Sequence, residues 1–371
     1  MSSRAGVISS AVIVILVFAA VGGFVFLTNQ YVPSHVAVVV IDPGFGDLSM
    51  ADQAYEGLFE VEVVVSYDFR VVESVSALET LIDELATRGN HDLILVIGTE
   101  IGISGALDTV AAAHPNQKFG YIGGYVSQEN VASATFAYDE AAFLAGTLAA
   151  YLAVGNVNRT GVVGVIGALE TDPVIADLID GFLQGVDYAN QTLGNVTLLD
   201  VEYVGSYNDT QTAEDLATNM WDPQNGNASV IFAPVRASYM GIRAAMVYAN
   251  LTWFNGTVNH EPFVIGAEGD QRFLGNPNIE IATGPSWMVT SIVPRSDLSV
   301  YRIINATLWG DFTGNLNYGS ADGIGNLDNN GIGLADLEEF QQSDNEWVTD
   351  RMINMTVDYR LAIINGTITL S

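Results

Sequence analysis

The sequence predicts an α/β protein of two lobes, each built on a parallel β-sheet with helices packed against it. Apolar stretches of strand length alternate with longer stretches whose apolar residues recur at helical spacing. This alternation runs to about residue 153 and then starts again at residue 161. A chain of 371 residues, 49% of them hydrophobic, also has enough material for two cores of ordinary size.

The first run opens with a predicted strand at 36–41, a Gly-rich turn and the start of a helix. A strand that leads through such a turn into a helix places its carboxyl end at a ligand crevice. We therefore expect Asp42, Asp47 and an N-capping Ser49 to face a cleft, although such a turn can also serve a purely steric purpose. The further elements predicted for this run are the strands 60–67, 92–97, 118–122 and 132–136 and the helices 75–87, 104–113 and 139–153.

The second run predicts a second lobe of the same kind. Its predicted strands are 161–167, 196–204, 229–232, 263–266 and 288–293, and its helices are 173–190, 210–220, 238–249 and 297–308. The tail 362–370 contains Asn365-Gly366, which is typical of a tight hairpin turn.

The charge of the chain excludes several kinds of partner. The net charge of −31 comes from 43 acidic and 12 basic residues, and Lys118 is the single lysine. Such a surface repels nucleic acid and anionic lipid. The absence of Cys excludes a disulfide framework, a thiol nucleophile, a Cys-ligated zinc and lipid attachment of the bacterial lipoprotein type.

The N-terminal region predicts a membrane anchor. Residues 5–27 carry no charge and follow Arg4, so they can span a bilayer with the N-terminus inside. Cleavage of a signal peptide near 19–23 is the alternative. The tether 28–35 reaches roughly 25 Å when extended, so we expect the folded part to lie outside the cell, close to the membrane.

Asn-x-Ser/Thr sequons agree with an extracellular location, because they are acceptors for glycans on exposed loops. The alternative is a composition rich in Asn and Thr. The ten candidates are Asn158, Asn190, Asn195, Asn208, Asn227, Asn250, Asn255, Asn305, Asn354 and Asn365.

Seven short segments, taken in order, carry a resemblance to a known family. The first contains Asp42, Gly44, Asp47, Ser49 and Gly57. The others are 114–119, 136–146, 164–185, 203–207, 264–271 and 330–334. From about residue 36 to its end the chain resembles the basic membrane protein family of substrate-binding proteins, the purine-nucleoside-binding lipoproteins of ABC importers.

The resemblance implies a type I periplasmic-binding-protein fold, in which two doubly wound parallel-sheet lobes are joined by three crossovers and close on a ligand. We divide the chain into an anchor and tether at 1–34, a first lobe of 35–138 plus 255–290, and a second lobe of 139–254 plus 291–371.

The resemblance also implies site residues, several of which are replaced. The family's aromatic and amide positions are Met50 and Ala51, a family Asp is Gly123, and its late Lys is Pro294. Arg236 begins the segment that replaces the family's Gly-Thr-Gly loop. It can bind a carboxylate or phosphate through its fork, or it can be an exposed loop cation. The candidate ligand-binding residues are Asp42, Phe45, Asp47, Met50, Asp139, Phe232, Arg236, Tyr239, Glu268 and Asp270.

For a nucleoside ligand, we expect the ribose hydroxyls to bind the carboxylates of Asp42, Glu268 and Asp270. The base is then expected to lie against Met50 and an aromatic ring of the facing lobe, either Phe232 or Tyr239.

Other chemistry is not expected. The four His residues are far apart in sequence, so we predict no zinc site. Residues 326–331 resemble the first half of a calcium loop, but Leu337 stands where a bidentate acid is needed. Neither a nucleophile elbow nor a P-loop occurs. We therefore predict a protein that is not an enzyme and has no cofactor.

The expected function is that of a membrane-anchored extracellular receptor that captures a small solute, a nucleoside by resemblance, and delivers it to the permease of an ABC importer. Alternatives are a ligand-sensing ectodomain for a signalling partner, or a receptor for another small polar solute. Because only four residues precede the apolar segment, we expect no cytoplasmic output domain.

Overall fold

The structure is a computed structural model that describes residues 34–42, 44–46, 49–61, 65–155, 159–254, 261–276, 286–320, 323–338 and 348–371. The predicted anchor 5–27, Asp47, Asn158 and Asn255 lie outside these ranges.

The first lobe contains a six-stranded parallel sheet in the order β2-β1-β3-β4-β5-β12. Its strands are β1 (Ser34–Ile41), β2 (Val65–Val72), β3 (Leu93–Ile97), β4 (Phe119–Ile122), β5 (Val131–Ala134) and β12 (Leu316–Asn317). Its helices are α1 (Met50–Phe59), α2 (Val75–Arg88), α3 (Ile103–Ala113) and α8 (Ser296–Trp309).

Both faces of this sheet are covered, and the apolar run of β1 shows why. Val36, Val38 and Val40 point into the core beneath α1 and α8, whereas Ala37 and Val39 point into the core beneath α2 and α3. Because side chains alternate along a strand, a continuous apolar run is what a doubly covered strand requires.

The second lobe contains a seven-stranded sheet in the order β7-β6-β9-β10-β11-β13, with β8 also paired to β6. Its strands are β6 (Val162–Gly167), β7 (Thr197–Leu198), β8 (Glu202–Tyr203), β9 (Val230–Phe232), β10 (Phe263–Gly266), β11 (Met288–Pro294) and β13 (Ile332–Leu334). Its helices are α4 (Tyr138–Val154), α5 (Pro173–Leu193), α6 (Thr210–Trp221), α7 (Tyr239–Ala249) and α9 (Asp350–Ile364). β13 is antiparallel to β11, and the other pairings are parallel.

The two sheets have the same strand order, and the described chain passes between them three times. It crosses from β5 to α4, returns from β11 to α8, and crosses again from β12 to β13. The carboxyl ends of the parallel strands in each lobe lie next to these crossings, so a cleft between the lobes is lined by strand ends from both sheets.

Two parts of the predicted lobe division are wrong. Residues 255–290 were assigned to the first lobe, but β10 pairs with β9 of the second sheet. Residues 291–371 were assigned to the second lobe, but β12 pairs with β5, and the apolar side chains of α8 lie in the core above the first sheet. The cause is the return crossing at Arg295, which an alternation of elements does not reveal.

Three predicted elements also differ from the structure. The second strand lies at Val65–Val72 rather than 60–67. The strand 196–204 is divided into the two short strands β7 and β8. No hairpin forms at 362–370: α9 ends at Ile364, and in the turn that follows the N–H groups of Thr367 and Ile368 both donate to the carbonyl oxygen of Ala362.

Among the helices in the described ranges, none combines the length and the apolar character that a bilayer crossing requires.

Candidate functional site

The candidate site lies where the carboxyl ends of strands from the two lobes face each other. Thr99 and Glu100 follow β3 of the first lobe. From the second lobe, Asp172 begins α5, Arg236 follows β9 and Glu268 follows β10. This edge is where ligands bind in open α/β sheets.

The guanidinium of Arg236 is the centre of the site, and the residue is 4% exposed. Its Nε donates to both carboxylate oxygens of Glu268 at 3.1 Å, and its Nη2 donates to Oε1 of Glu268 at 3.0 Å. From the first lobe, Glu100 accepts from Nη1 at 3.1 Å and Thr99 Oγ1 accepts from Nη2. Asp172 Oδ2 lies 3.4 Å from Nη2. Side chains of both lobes therefore bind one cation.

Arg236 and Glu268 reach each other from unusual backbone conformations. Their φ angles are 49° and 67°, in the left-handed region that residues other than Gly rarely adopt. Such a conformation costs on the order of 1 kcal/mol or more per residue, and it persists only where surrounding contacts enforce it. The buried ion pair supplies those contacts.

The charges at the site do not balance. Three carboxylates, those of Glu100, Asp172 and Glu268, surround one guanidinium. Burial alone would lower the pKa of Arg236, but the neighbouring charges of Glu268 and Glu100 raise it well above its ordinary value. Arg236 therefore stays charged, and among the described residues three carboxyl groups of the cluster face this one cation.

Tyr207 covers one face of this cluster. Its ring centroid lies 4.1 Å from Cζ of Arg236, which is within cation–π range. Its hydroxyl donates to Oδ2 of Asp172. Burial, as the largest cause, raises the pKa of Tyr207, so the phenol keeps the proton that it donates.

Asp172 joins the site to the helix that follows it. Its Oδ1 accepts from the backbone N–H of Val174 at 2.8 Å, and so caps the N-terminus of α5. Its Oδ2 is left for Tyr207, Thr99 and Arg236. The cap fixes the carboxylate in place before any ligand arrives.

A small cavity of about 20 Å³ remains between the lobes beside Arg236. This volume holds about one water molecule. Oε2 of Glu100, whose residue lines the cavity, is buried without a hydrogen-bond partner among the described residues. The cleft is therefore closed around Arg236, with one acceptor unsatisfied.

Met50 closes the cavity on the side of the first lobe. It is 2% exposed, and its sulfur accepts from the hydroxyl of Tyr138 at 3.5 Å. A Cβ atom at Gly123 would lie 2.7 Å from Cε of Met50 and would overlap the carbonyl oxygen of Gly98. Gly123 also has a φ of 109°, so the structure admits no side chain there.

Comparison with known proteins shows the family to which the chain belongs. Residues 34–370 match the family model Bmp, described as ABC transporter substrate-binding protein PnrA-like. The chain belongs to the Bmp family. Members of this family are solute-binding proteins of ABC transporters.

Two sequence relatives support this family membership, and one solved structure supports the fold. An uncharacterised lipoprotein of Pyrococcus abyssi is 26% identical over 339 residues, which are 90% of this chain and 77% of that protein. The ABC transporter nucleoside-binding protein BmpA of Lactococcus lactis is 24% identical over 287 residues, 75% of this chain and 76% of that protein. The crystal structure of an ABC transporter solute-binding protein from Aeropyrum pernix has the same fold, with a TM-score of 0.76 at 24% identity, covering 91% of this chain and 93% of that one.

The structure brings together three of the predicted site residues of this Bmp-family chain. Met50, Arg236 and Glu268 all line the small cavity. The interpretation of Arg236 as an exposed loop cation is wrong, because its guanidinium is buried. The alternative, a fork that binds carboxylates, describes its geometry, but the carboxylates are those of the chain itself.

Two predicted aromatic residues lie in the core instead. The ring of Phe232 stacks on Phe182 with centroids 4.4 Å apart and planes 9° from parallel, and Phe232 is fully buried. Tyr239 is fully buried in the core between the second sheet and α6 and α7. Neither ring has a face free for a ligand base, so the expectation that one of them stacks on it is wrong in this closed structure.

Four further predicted residues lie around the site without taking part in the cluster. Asp42 is exposed at the end of β1, with its N–H bonded to the carbonyl oxygen of Val72. Phe45 packs against Tyr55 and Phe69 on the outer surface, with centroid distances of 5.2 and 5.7 Å. Asp139 is half-buried in the first turn of α4.

Asp270 is the fourth of these residues, and it points away from the cluster. Its carboxylate is paired with Arg272 at 2.6 Å. It lines a separate groove of about 680 Å³ on the second lobe, bordered by β13 and α9. We therefore do not count it with Glu268 at the centre of the site.

Sequence reasoning missed Thr99, Glu100, Asp172 and Tyr207. Thr99 and Glu100 lie two and three residues after the end of a predicted strand, so the rule that ligands bind at the carboxyl ends of strands would have found them. Asp172 directly precedes a predicted helix, where an acid is typical of an N-cap. Tyr207 lies in the segment 203–207, and the resemblance of this segment to the family implies no role for its ring.

The loop that resembles half of a calcium site uses its oxygens internally. The side chains of Asn326 and Asn329 accept from each other's backbone N–H groups at 3.1 and 2.9 Å. Arg360 donates to the carbonyl oxygen of Leu327 and to Oδ1 of Asn330. Across the described ranges, the acidic and His side chains form no cluster suited to a metal ion.

Proposed function

We propose that this Bmp-family protein is a membrane-anchored extracellular receptor, which captures a nucleoside between its lobes and delivers it to the permease of an ABC importer. The observation that carries the proposal is the convergence of hydrogen-bonding side chains from both lobes at the carboxyl ends of two parallel sheets. A solute held at such a point stabilises the closed form, which a permease can recognise.

A nucleoside suits the chemistry of this cleft. Carboxylates accept hydrogen bonds from hydroxyl groups, and Glu268 lies in the cleft while Asp42 lies at the end of β1 beside it. Met50 offers a thioether surface for a base. With Phe232 and Tyr239 in the core, Tyr207 is the ring at the cluster that supports base stacking. The name of the Lactococcus lactis relative, a nucleoside-binding protein, supports the same ligand class.

Native mass spectrometry of the purified full-length protein tests the proposal. We expect a complex that releases one small molecule with the mass of a nucleoside on denaturation. Release of a different solute would contradict the nucleoside assignment and keep the receptor function. A protein that neither retains nor binds any solute would contradict both.

A substitution of Asp42 tests its proposed role in holding the ribose. Asp42→Ala should abolish nucleoside binding in calorimetry, because a carboxylate acceptor is lost. The melting temperature of the unliganded form should hardly change, because the side chain is exposed. An equal loss of stability and binding would instead mean that Asp42 serves only the turn.

We also propose that residues 5–27 anchor the protein with its N-terminus inside, since the chain has no Cys to carry the lipid of a lipoprotein. A mature protein whose first peptide begins after residue 20 would contradict this. Glycans on the exposed sequons Asn195, Asn208, Asn354 and Asn365 fit the same location. Asn190 is a poor acceptor because its amide bonds Val196 through both its oxygen and its nitrogen.

A further inference from the structure

Arg236 makes the same contacts between the lobes that a solute would be expected to make. It is held in its own lobe by Glu268 and Asp172, and it reaches across the cleft to Glu100 and Thr99. Glu268 and Asp172 are 1% and 2% exposed, so the charges at this contact are shielded from water. Hydrogen bonds between charged groups of this kind are stronger than hydrogen bonds between neutral groups.

The cation is also what allows the lobes to close. Without Arg236, closure would bring three carboxylates together in a buried place, and the repulsion between them would favour the open, hydrated form. With Arg236 in place, the space left for a solute shrinks to about 20 Å³. Oε2 of Glu100 has no partner among the described residues, so the guanidinium does not use every acceptor that this part of the cleft offers.

We propose that Arg236 is an internal occupant of the solute site: it closes the lobes in the absence of solute, and a solute binds by displacing its guanidinium from Glu268 and Glu100. This inference rests on the proposed receptor function and adds a determinant of specificity to it. The chain's own cation takes the place of the ligand, so the solute must compete with it.

Competition of this kind selects a chemical class of solute. The displacing molecule must offer hydroxyl, amino or cationic groups to the carboxylates that Arg236 leaves. An anion cannot replace a cation that faces three carboxyl groups, so a nucleotide is excluded although its nucleoside fits. Displacement also lowers the apparent affinity, because only the fraction of molecules with a vacant cleft is competent to bind.

The distance between the lobes without solute tests the closing role directly. The chain has no Cys, so spin labels can be placed at Thr109→Cys on α3 and Asp215→Cys on α6, which are both exposed. Pulsed electron resonance should give one short, narrow distance distribution for the otherwise unaltered protein. Arg236→Gln should shift it to longer distances. Arg70→Gln removes an equal charge from an exposed pair with Asp68 and should leave it unchanged.

A variant of the opposite lobe keeps the test decisive if Arg236→Gln does not fold. Thr99→Val combined with Glu100→Ala leaves the contacts of Arg236 within its own lobe and removes its acceptors across the cleft. This protein should also populate the longer distance. A distribution identical to that of the unaltered protein in both variants would overturn the proposal.

Calorimetry with adenosine and adenosine 5′-monophosphate tests the competition. Arg236→Gln should bind adenosine on the order of tenfold more tightly than the unaltered protein, because the competitor is gone. The unaltered protein should bind adenosine and give no heat with the monophosphate. Weaker adenosine binding by Arg236→Gln, or equal binding of the monophosphate, would overturn displacement. Absence of heat with any nucleoside would contradict the proposed ligand, while the label distances still decide the closing role.

Discussion

At the scale of single residues, two departures from the family pattern explain each other. By the resemblance, Met50 stands where an aromatic residue is expected and Gly123 stands where an acid is expected. In the structure the methyl group of Met50 occupies the space that a side chain at 123 would need. The φ of 109° at Gly123 excludes a side chain independently. The two residues therefore fit each other: Gly at 123 leaves the room that the methyl group of Met50 occupies.

A methyl group at position 123 should destabilise the folded protein. Gly123→Ala should lower the free energy of unfolding by about 3 kcal/mol or more, because the strained φ and the overlap with Gly98 and Met50 add together. Gly194→Ala is the matched control, since Gly194 has a φ of 73° but no atom within 4 Å of an added Cβ. It should cost about 1 kcal/mol. Equal losses in urea denaturation would mean that Met50 and Gly98 yield at no cost.

The sequence predicted those site residues whose position can be judged within a single lobe. Glu268 and Arg236 could be predicted because each follows a strand end. The pairing of Arg236 with Glu100 could not, because it forms across a cleft between residues that are 136 apart in the chain. The predicted stacking of a base on Phe232 is wrong for a different reason. Along β9 side chains alternate, and Val230 and Phe232 share the face that packs against α5. A ring near a strand end can face either the core or the cleft, and the pattern of β9 puts this one in the core.

At the scale of elements, glycines decide how α4 and α5 pack. A Cβ at Gly146, Gly181 or Gly185 would overlap backbone atoms of the facing helix. The two helices therefore touch through their backbones, and α4 is buried along almost its whole length. These glycines lie in two of the segments that resemble the family, so part of that resemblance reflects how the helices pack.

Two substitutions test this close contact, and they should change the free energy of unfolding in opposite directions. Gly185→Ala should lower the free energy of unfolding by about 2 kcal/mol or more, because the helices must separate. Gly105→Ala lies in α3, where no atom is within 4 Å of the added Cβ. It should raise the free energy of unfolding by about 0.5–1 kcal/mol, because Ala has the higher helix propensity. A stabilising Gly185→Ala in chemical denaturation would contradict the close contact.

Strands and helices could be predicted where the local pattern of apolar residues is clear. The sheet or lobe to which each of them belongs could not. The buried runs of β1, β3 and β6 identify strands unambiguously because both faces of the sheet are covered. β2 is an edge strand whose residues are half-buried or exposed, so its pattern is weak and its bounds were misplaced. The assignment of β10 to one lobe and of α8 to the other depends on the return crossing at Arg295. The periodicity of apolar residues does not show where the chain crosses between lobes.

At the scale of the whole molecule, acidic charge shapes the pH dependence of stability. Burial, as the largest cause, raises the pKa of Glu140 and of Glu261. A carboxyl whose pKa is higher in the folded state binds more protons there than in the unfolded state. Its contribution to stability is complete below the ordinary Glu pKa, and it is lost as pH rises through the raised value.

We therefore expect the free energy of unfolding to fall as pH rises from the ordinary Glu pKa through the raised values. Glu140→Gln combined with Glu261→Gln should flatten this decline in denaturation series at several pH values. Glu79→Gln, at an exposed position of α2, should leave the slope unchanged. A double variant with the same slope as the unaltered protein would contradict the role of these two carboxyls.

The central claim, that the cleft of this Bmp-family protein binds a nucleoside between its lobes, is tested most directly by calorimetry with adenosine, guanosine, inosine and uridine. We predict one-to-one binding of at least one of the four. In the Arg236→Gln background, where no internal competitor is left, Glu268→Ala should weaken that binding at least about tenfold, because a buried acceptor for the solute's hydroxyl groups is lost. No heat with any of the four nucleosides, or binding that Glu268→Ala leaves unchanged in that background, would contradict the claim.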